Sequence, residues 1–288
     1  MSKDIPLSLY VHIPWCVKKC PYCDFNSHEK DSAFDEDGYV DALLRDLDRE
    51  YATCGNRPLQ SIFFGGGTPS LFSAGAINTV VDHARALFGF DDIEITMEAN
   101  PGTFEQEKFT AFREAGINRL SIGIQSFDDA QLKRLGRIHD REQALKAIEM
   151  AKYAGFENMN LDLMFGLPQQ TIQQAIDDVR IACESGTPHL SHYQLTIEPN
   201  TYFYKHTPVL PEIDLLWDMQ NHCQSVLSEH GYQQYEISAY SKPGKRCQHN
   251  VNYWQFGDYI GIGAGAHGKL THSKLTDGQK GFKISRRW

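Results

Sequence analysis

The chain has 288 residues, of which 41% are hydrophobic and 23% are charged, which is typical of a globular protein with one large α/β domain or two smaller ones. No run of about 18 apolar residues is present to span a membrane, and the N-terminus lacks a basic region followed by an apolar one, so we predict a cytoplasmic protein. The net charge of −9 disfavours nucleic acid as a partner, because binding to phosphates requires Lys and Arg.

Short apolar runs alternate with amphipathic stretches over residues 1–210. The predicted strands are Leu7–Ile13, Ser61–Gly66, Ile93–Ala99, Arg119–Gln125, Met159–Gly166 and Leu190–Ile197. The predicted helices between them are Gly38–Tyr51, Ala74–Phe88, Phe104–Ala115, Arg141–Ala154 and Ile172–Glu184. Nearly continuous apolar strands separated by helices indicate a parallel sheet covered by helices. Because a closed barrel of this kind has eight units, the predicted fold class is α/β, an incomplete (β/α)6 TIM-like barrel.

Residues 211–288 form a second predicted part, a C-terminal α+β extension. It begins with a helix over Glu212–His230 and continues through a stretch rich in aromatic residues, Gly and His. The segment Gly263–Gly268 fits the pattern G-x-G-x-x-G, but no helical pattern follows it, so we do not predict dinucleotide binding.

Three of the seven cysteines follow the first predicted strand with the spacing C-x3-C-x2-C: Cys16, Cys20 and Cys23. In a chain without an export signal, this clustering favours metal or redox chemistry over disulfides. Three thiolates can hold three irons of a [4Fe-4S] cluster and leave the fourth iron open, whereas electron-carrier clusters use four. A zinc site completed by His12 or His28 and a purely structural trio of cysteines are the alternatives, although the spacing is not that of a zinc knuckle.

Several other predicted strands also end in Gly, Pro or polar residues, as in "GGGTP", "EANP" and "GIQSF". In parallel α/β sheets, functional residues gather at the carboxyl ends of the strands, so we expect these ends to form a ligand site with the cysteines. Taken singly, the glycine run is explained by a tight turn and Arg137 by a solvated surface.

The segments "YVHIPWCVKKCPYC", "FFGGGTPS", "EANPGT", "RLSIGIQSF" and "LDLMFGLPQQT" together resemble the radical S-adenosylmethionine (SAM) superfamily, in the branch around oxygen-independent coproporphyrinogen III oxidase. The resemblance implies that SAM binds the open iron of the cluster through its amino and carboxylate groups. It also implies a set of polar or small residues around SAM: Tyr10, Gly66, Gly67, Thr68, Glu98, Gln125, Arg137 and Asp162.

Two features resemble the HemW group of heme chaperones within that branch. The oxidases carry a fourth cysteine, C-x3-C-x2-C-x-C, and Phe25 takes its place here. The segment "CQHNVNYW" is similar to the H-N-x-x-Y-W motif of the group, with His249 as a heme ligand and with Tyr253 and Trp254 stacking on the porphyrin. Cys247 and His267 are further candidate ligands, and a loop in which His249 only bonds the backbone is the alternative.

The resemblance implies a heme chaperone that binds a [4Fe-4S] cluster, SAM and heme. It would transfer heme to acceptors such as respiratory enzymes and bacterioferritin, including transient contacts with membrane-protein acceptors. A coproporphyrinogen oxidase and a cluster-only electron carrier are the alternatives, so enzymatic activity stays open, as does the choice between monomer and dimer. Members of the family usually continue past "GAGAHG" into a largely helical domain, so we expect the chain either to be truncated or to lack that domain.

Overall fold

The structure is a computed structural model that describes residues 5–31, 34–102, 108–272 and 281–286, with the backbone alone for 272 and 281–286. Its strands in chain order are β1 (Leu7–Ile13), β2 (Trp15–Cys16), β3 (His28–Glu29), β4 (Leu59–Gly66), β5 (Glu94–Ala99), β6 (Arg119–Gln125), β7 (Met159–Phe165), β8 (His189–Gln194), β9 (Gln233–Gln234), β10 (Ala239–Ser241), β11 (Asp258–Ile262), β12 (His267–His272) and β13 (Gly281–Arg286). Each of the predicted strands is therefore present, with bounds that differ by at most a few residues.

The main sheet has the strand order β13-β12-β11-β1-β4-β5-β6-β7-β8-β10-β9. All pairings from β11 through β1 to β8 are parallel, whereas the pairings of β12, β13, β10 and β9 are antiparallel. No strand of the described residues joins β9 to β13, so the sheet stays open. This arrangement confirms the predicted fold class, an incomplete TIM-like barrel.

The α-helices of the described residues are α1 (Glu36–Cys54), α2 (Ala74–Phe88), α3 (Phe109–Glu114), α4 (Asp129–Arg134), α5 (Arg141–Tyr153), α6 (Ile172–Glu184), α7 (Tyr202–Lys205), α8 (Ile213–Glu229) and α9 (Gln248–Trp254). Helices such as α1 and α2 cover the outer face of the sheet with their apolar sides. Capping boxes at Asp140 and Thr171 satisfy the first N–H groups of α5 and α6. The predicted helix Phe104–Ala115 is present from Phe109, and its residues 104–107 lie outside the described residues. Within the described part of the chain, no helix combines the length and the apolar character needed to cross a bilayer.

The two faces of the sheet differ in chemistry. On β1, Leu9 and Val11 are fully buried in one cluster with Leu43 and Leu47 of α1. Burial of each such side chain stabilises the fold by roughly 1.5–3 kcal/mol. On the opposite face of the same sheet, the Ser61 hydroxyl donates to the hydroxyl of Ser8 on the neighbouring strand, 2.9 Å away. At this position the inner face of the barrel is therefore polar, and the two hydroxyls pair with each other.

The C-terminal segment reaches both ends of the sheet. After α8 it adds β10 antiparallel to β8, and later it adds β11 parallel to β1. Between these two strands, α9 crosses the inner face, where it contacts β4, β1 and β11. Residues 211–288 thus complete the sheet that residues 1–210 begin, and the boundary at residue 210 stays a prediction.

Candidate functional site

The three clustered cysteines lie in one short loop after β1. Cys16 belongs to β2, which pairs with β3, and the Cys23 N–H donates to the Cys20 carbonyl over 3.1 Å. The Lys19 ammonium donates to the carbonyls of Phe25 (3.1 Å) and Ser27 (2.9 Å). The loop is thus closed by its own hydrogen bonds, and all three thiols are free.

The thiols are close enough to influence one another. Burial raises the pKa of Cys16, and the neighbouring charges of Cys23 and Cys20 raise it further, against hydrogen bonds from Thr68 and Ser27 that lower it. A bound cation would reverse this balance, because it stabilises thiolates. Within the described residues, no group of three or more His, Cys, Asp or Glu converges on a single metal ion. In a cluster each thiolate binds a different iron, so the sulfur atoms need not meet at one point.

The cysteine loop borders a cavity of about 340 Å³ at the carboxyl ends of the strands. We call it the cluster cavity. Its lining includes Cys16, Cys20, Cys23, Phe25, Gly66, Gly67, Thr68, Glu98, Asn100, Ser121, Gln125, Arg137, Asp162, Ser191 and Tyr193. The structure therefore brings together the cysteines and all but one of the residues predicted around SAM. The exception, Tyr10, does not line this cavity, although a Cβ on Gly65 would be 3.1 Å from its ring and 3.3 Å from the Glu98 carboxyl carbon.

The glycine turn after β4 is fixed against the cysteine loop. The Gly67 N–H donates to the Ile13 carbonyl and the Thr68 N–H donates to the Trp15 carbonyl, each over 2.7 Å. A Cβ on Gly67 would lie 2.5 Å from the Trp15 oxygen, and Gly66 has a φ of 114° that side chains rarely adopt. Glycine is therefore required at Gly67 because the backbone of the cysteine loop is so close, and at Gly66 because of its positive φ.

Two buried carboxyl groups, Glu98 and Asp162, line the cluster cavity. Burial, and secondarily the charge of Asp162, raise the pKa of Glu98 to about 8, against a hydrogen bond from the Gly66 N–H that lowers it (3.1 Å). Burial also raises the pKa of Asp162, which accepts from Ser121 (3.0 Å) and Asn160 (2.8 Å). Among the described residues, neither carboxylate forms an ion pair. A positively charged ligand would satisfy both groups, and SAM carries a permanent sulfonium charge.

Arg137 is a bonded part of the cavity wall and not a solvated surface residue. Its guanidinium donates to the sulfur of Cys20 (3.3 Å), to the side chain of Asn100 (2.6 Å) and to the carbonyl of Gly123 (2.8 Å). Gln125 ends β6 with a φ of 68° and accepts from the Tyr193 hydroxyl over 2.8 Å. Sequence reasoning missed Asn100 and Tyr193, although both stand at strand ends where such residues are expected.

A second cavity, of about 920 Å³, lies beside the first. We call it the histidine cavity. It is lined by Tyr10, His12, Asp24, Phe25, Asn26, His249, Tyr253, Tyr259, Gly265 and His267. Of the residues predicted to bind heme, it thus contains His249, Tyr253 and the weaker candidate His267. Trp254 is half-exposed and does not line this cavity.

The segment that carries His249 is a helix, α9, and not the loop of the alternative interpretation. A carboxylate from β5 caps it, since Glu94 Oε1 accepts from the Gln248 N–H over 2.8 Å. The His249 ring packs on the rings of Phe63 (centroids 4.7 Å apart) and Tyr10 (6.2 Å). Its Nδ1 atom is buried and has no hydrogen-bond partner among the described residues.

Three candidate metal ligands in or near this cavity, His249, His12 and Cys247, differ in whether they have a free lone pair. Burial, and secondarily the charge of Arg119, lower the pKa of His249 to about 4, so the ring is neutral at neutral pH. His12 is already engaged, because its Nε2–H donates to the Asn26 carbonyl (2.9 Å) and its Nδ1 accepts from the Tyr10 hydroxyl (3.0 Å). Cys247 is buried beside Glu94 (3.3 Å), and burial raises the pKa of its thiol to about 12. Of these three groups, His249 is therefore the best suited to donate a lone pair to a metal.

Comparison with known proteins agrees with this geometry. The family model described as the radical SAM superfamily matches residues 10–182. The protein named heme chaperone HemW from Escherichia coli is 56% identical over 272 residues, which cover 94% of this chain and 72% of that protein. The chain belongs to the radical SAM superfamily, in its HemW branch. The HemW protein of Bacillus subtilis is 40% identical over 91% of this chain and 71% of its own length.

Two solved structures share the fold. Coproporphyrinogen III oxidase (HemN) from Escherichia coli superposes with a TM-score of 0.81 at 26% identity, over 94% of this chain and 67% of that one. SuiB from Streptococcus suis, solved with S-adenosylmethionine bound, gives a TM-score of 0.54 at 17% identity over 78% of this chain and 48% of that one. The second likeness concerns the fold alone.

Proposed function

We propose that this protein is a heme chaperone that binds a [4Fe-4S] cluster and SAM in the cluster cavity, and heme in the histidine cavity. The observation that carries the proposal is His249, a neutral histidine that lines an aromatic cavity beside the cysteine loop. Its buried Nδ1 has no hydrogen-bond partner in the part of the chain that the structure describes. This observation stands in a chain 56% identical to a protein named heme chaperone.

The residues of the cluster cavity fit the two cofactors. Cys16, Cys20 and Cys23 would hold the cluster, which when bound supplies one iron without a protein ligand for the amino and carboxylate groups of SAM. The glycine turn lies against the cysteine loop and lines the same cavity, so its backbone would be close to a bound SAM. Glu98 and Asp162 are the carboxyl groups beside which the positive part of SAM would lie, and a bound cation would favour their ionised forms.

The histidine cavity fits a porphyrin in size and chemistry. Its volume of about 920 Å³ is at the upper end of the range usual for small-molecule sites, and aromatic rings line it. Tyr253 and Tyr259 form a pair with ring centroids 4.9 Å apart, which offers an extended apolar surface. His249 would bind the heme iron, and His267 is a second candidate on the same cavity.

Heme transfer to other proteins extends this proposal beyond the site itself. Respiratory enzymes and bacterioferritin are the acceptors that the HemW resemblance implies, with transient contacts where an acceptor is a membrane protein. A cytoplasmic location is part of the same proposal.

Coproporphyrinogen oxidation is the second candidate, and the TM-score of 0.81 with that oxidase favours it. It is the weaker candidate because Phe25 stands where the oxidase pattern has a fourth cysteine. Incubation of the reduced, cluster-loaded protein with coproporphyrinogen and SAM separates the two, since an oxidase releases carbon dioxide and a chaperone does not.

The direct test is anaerobic cluster reconstitution followed by heme titration of the wild type, His249→Ala and His222→Ala. We expect His249→Ala to weaken heme binding by more than about tenfold, an effect typical even of residues that only orient a metal ligand. His222 is an exposed histidine of α8 outside both cavities, so its replacement is the matched control. Equal heme affinity of all three proteins would remove His249 from the site.

A further inference from the structure

Phe25 is a large apolar residue whose side chain the fold leaves exposed. Its side chain is 57% exposed, and it lines both the cluster cavity and the histidine cavity. No other aromatic residue of the described chain lines both cavities. It therefore stands at the boundary between the two, with its ring available to a ligand.

The exposure of the ring is not a consequence of a loose loop. The Phe25 carbonyl accepts from the Ser27 N–H (2.7 Å) and from the Lys19 ammonium (3.1 Å). The next residue, Asn26, donates through its side chain to the Ala264 carbonyl and accepts at its own carbonyl from His12, each over 2.9 Å. The backbone on both sides of the ring is thus held by groups from three separate segments of the chain.

The surroundings indicate what kind of ligand would cover the ring. The histidine cavity has further aromatic walls in Tyr10, Tyr253 and Tyr259, and it is wide enough for a large flat molecule. Aromatic side chains bind such molecules by offset or edge-to-face contact, which needs no charge and no metal. A cysteine at this position, as in the oxidase pattern, offers no ring for this contact.

We infer that Phe25 is a stacking platform for the tetrapyrrole macrocycle, at the end of the histidine cavity that adjoins the cluster. This inference rests on the proposed function, since it takes heme to be the ligand of that cavity. It assigns two separable parts to heme recognition. His249 binds the iron, and Phe25 binds the ring system whether or not iron is present.

The two parts are distinguished by titration with heme and with metal-free protoporphyrin IX. Phe25→Ala should weaken binding of both ligands by about the same factor, roughly fivefold to tenfold. His249→Ala should weaken heme binding alone. Phe25→Tyr, which keeps a ring, and Tyr153→Ala, which removes an 85% exposed aromatic residue of α5, should bind both ligands like the wild type.

Iron and sulfide content of each variant shows whether the cysteine loop is intact. If Phe25→Ala loses the cluster, Phe25→Leu takes its place in the same titrations, because leucine keeps the apolar bulk without the ring. Unchanged affinity of the ring-less variant for both ligands would overturn the inference, while a loss of heme binding in His249→Ala would leave the proposed function standing. Failure of the wild type to bind either ligand would overturn both.

Discussion

The two cavities adjoin at Phe25, but the chain builds them in different ways. The cluster cavity takes its lining mainly from residues 16–193, and most of these residues lie in parallel strands or in the loops that follow them. The histidine cavity combines residues 10–26 with residues 249–267, which are more than 200 positions away. The first depends on the local ends of neighbouring strands, and the second on the return of the C-terminal segment to β1.

This difference in construction has consequences for stability and for binding. A ligand site at parallel strand ends is positioned by the sheet itself. The histidine cavity also needs β11 and α9 to be held in place. Buried polar groups outside the cavity lining, Asp258 for β11 and Glu94 for α9, hold them. Substitutions can therefore affect one cavity without the other.

The largest effect is expected at Asp258, the first residue of β11, which forms a buried ion pair with Arg57. Asp258 is fully buried and pairs with Arg57 over 2.8 Å, and it also accepts from Lys269 and Thr271. Asp258→Asn should lower the free energy of unfolding by about 3–5 kcal/mol, because it leaves a buried guanidinium without its partner. Denaturant titration of the cofactor-free protein measures this, with Asp82→Asn, which breaks an exposed pair with Arg85, as a control that should cost less than about 1 kcal/mol.

The same pair predicts a pH dependence of stability. Although burial alone would raise it, the pKa of Asp258 is lowered below its ordinary value of 3.8 by hydrogen bonds from Arg57, Thr271 and Lys269. A depressed folded-state pKa means that the contribution is present above about pH 4 and is lost as the pH falls further. The Asp258→Asn variant should not show this loss of stability at low pH. A wild type and a variant with parallel stability curves between pH 5 and 2 would contradict the assignment.

A smaller effect is expected at Glu98, in the cluster cavity. With a pKa of about 8, its carboxyl is mostly protonated at pH 7, so binding of a cationic ligand to the ionised form releases a proton. The affinity of the reconstituted protein for SAM should rise about tenfold from pH 7 to pH 9. Glu98→Gln should remove this rise. Titration of SAM itself changes the affinity of both proteins equally, so it cancels when the two pH profiles are compared. A rise of equal size in both proteins would exclude Glu98 from the SAM site.

The smallest effect is expected at Cys247, the alternative heme ligand. Its thiol is buried against Glu94, and burial raises its pKa to about 12, so it stays protonated at neutral pH. Only a thiolate binds iron well. Cys247→Ala should therefore leave heme affinity and the Soret maximum unchanged, in contrast to His249→Ala. A shifted Soret band in Cys247→Ala would make the thiol a ligand.

The sequence predicted the sheet better than it predicted the histidine cavity, and the reasons are local. Each strand buries an apolar face, as Leu9 and Val11 do, and this leaves a readable pattern. Helix α9 was not predicted because its first residue follows Cys247, a poor capping residue. Its cap comes instead from Glu94, about 150 positions earlier in the chain.

Side-chain positions were predicted unevenly for the same reason. The cluster-cavity residues were predicted from the family resemblance and from the strand ends, whereas the hydrogen bonds that hold Arg137 come from Asn100 and Cys20, which are far from it in sequence. Tyr10 lines the histidine cavity, which the sequence did not indicate, and its place beside SAM stays a prediction. The alternation of residues along a strand predicts on which side of the sheet a side chain lies, but it does not predict which cavity that side chain lines.

The central claim is that cluster and heme occupy two separate cavities of one chain. Its most direct test is heme titration of the reconstituted protein, with iron and sulfide measured before and after. We predict that heme binds with the absorption of a histidine-ligated iron and that the cluster content does not change. Loss of sulfide as heme binds, with a thiolate-type Soret band, would show that heme competes for the cysteines of the cluster cavity, and the two-site account would be wrong.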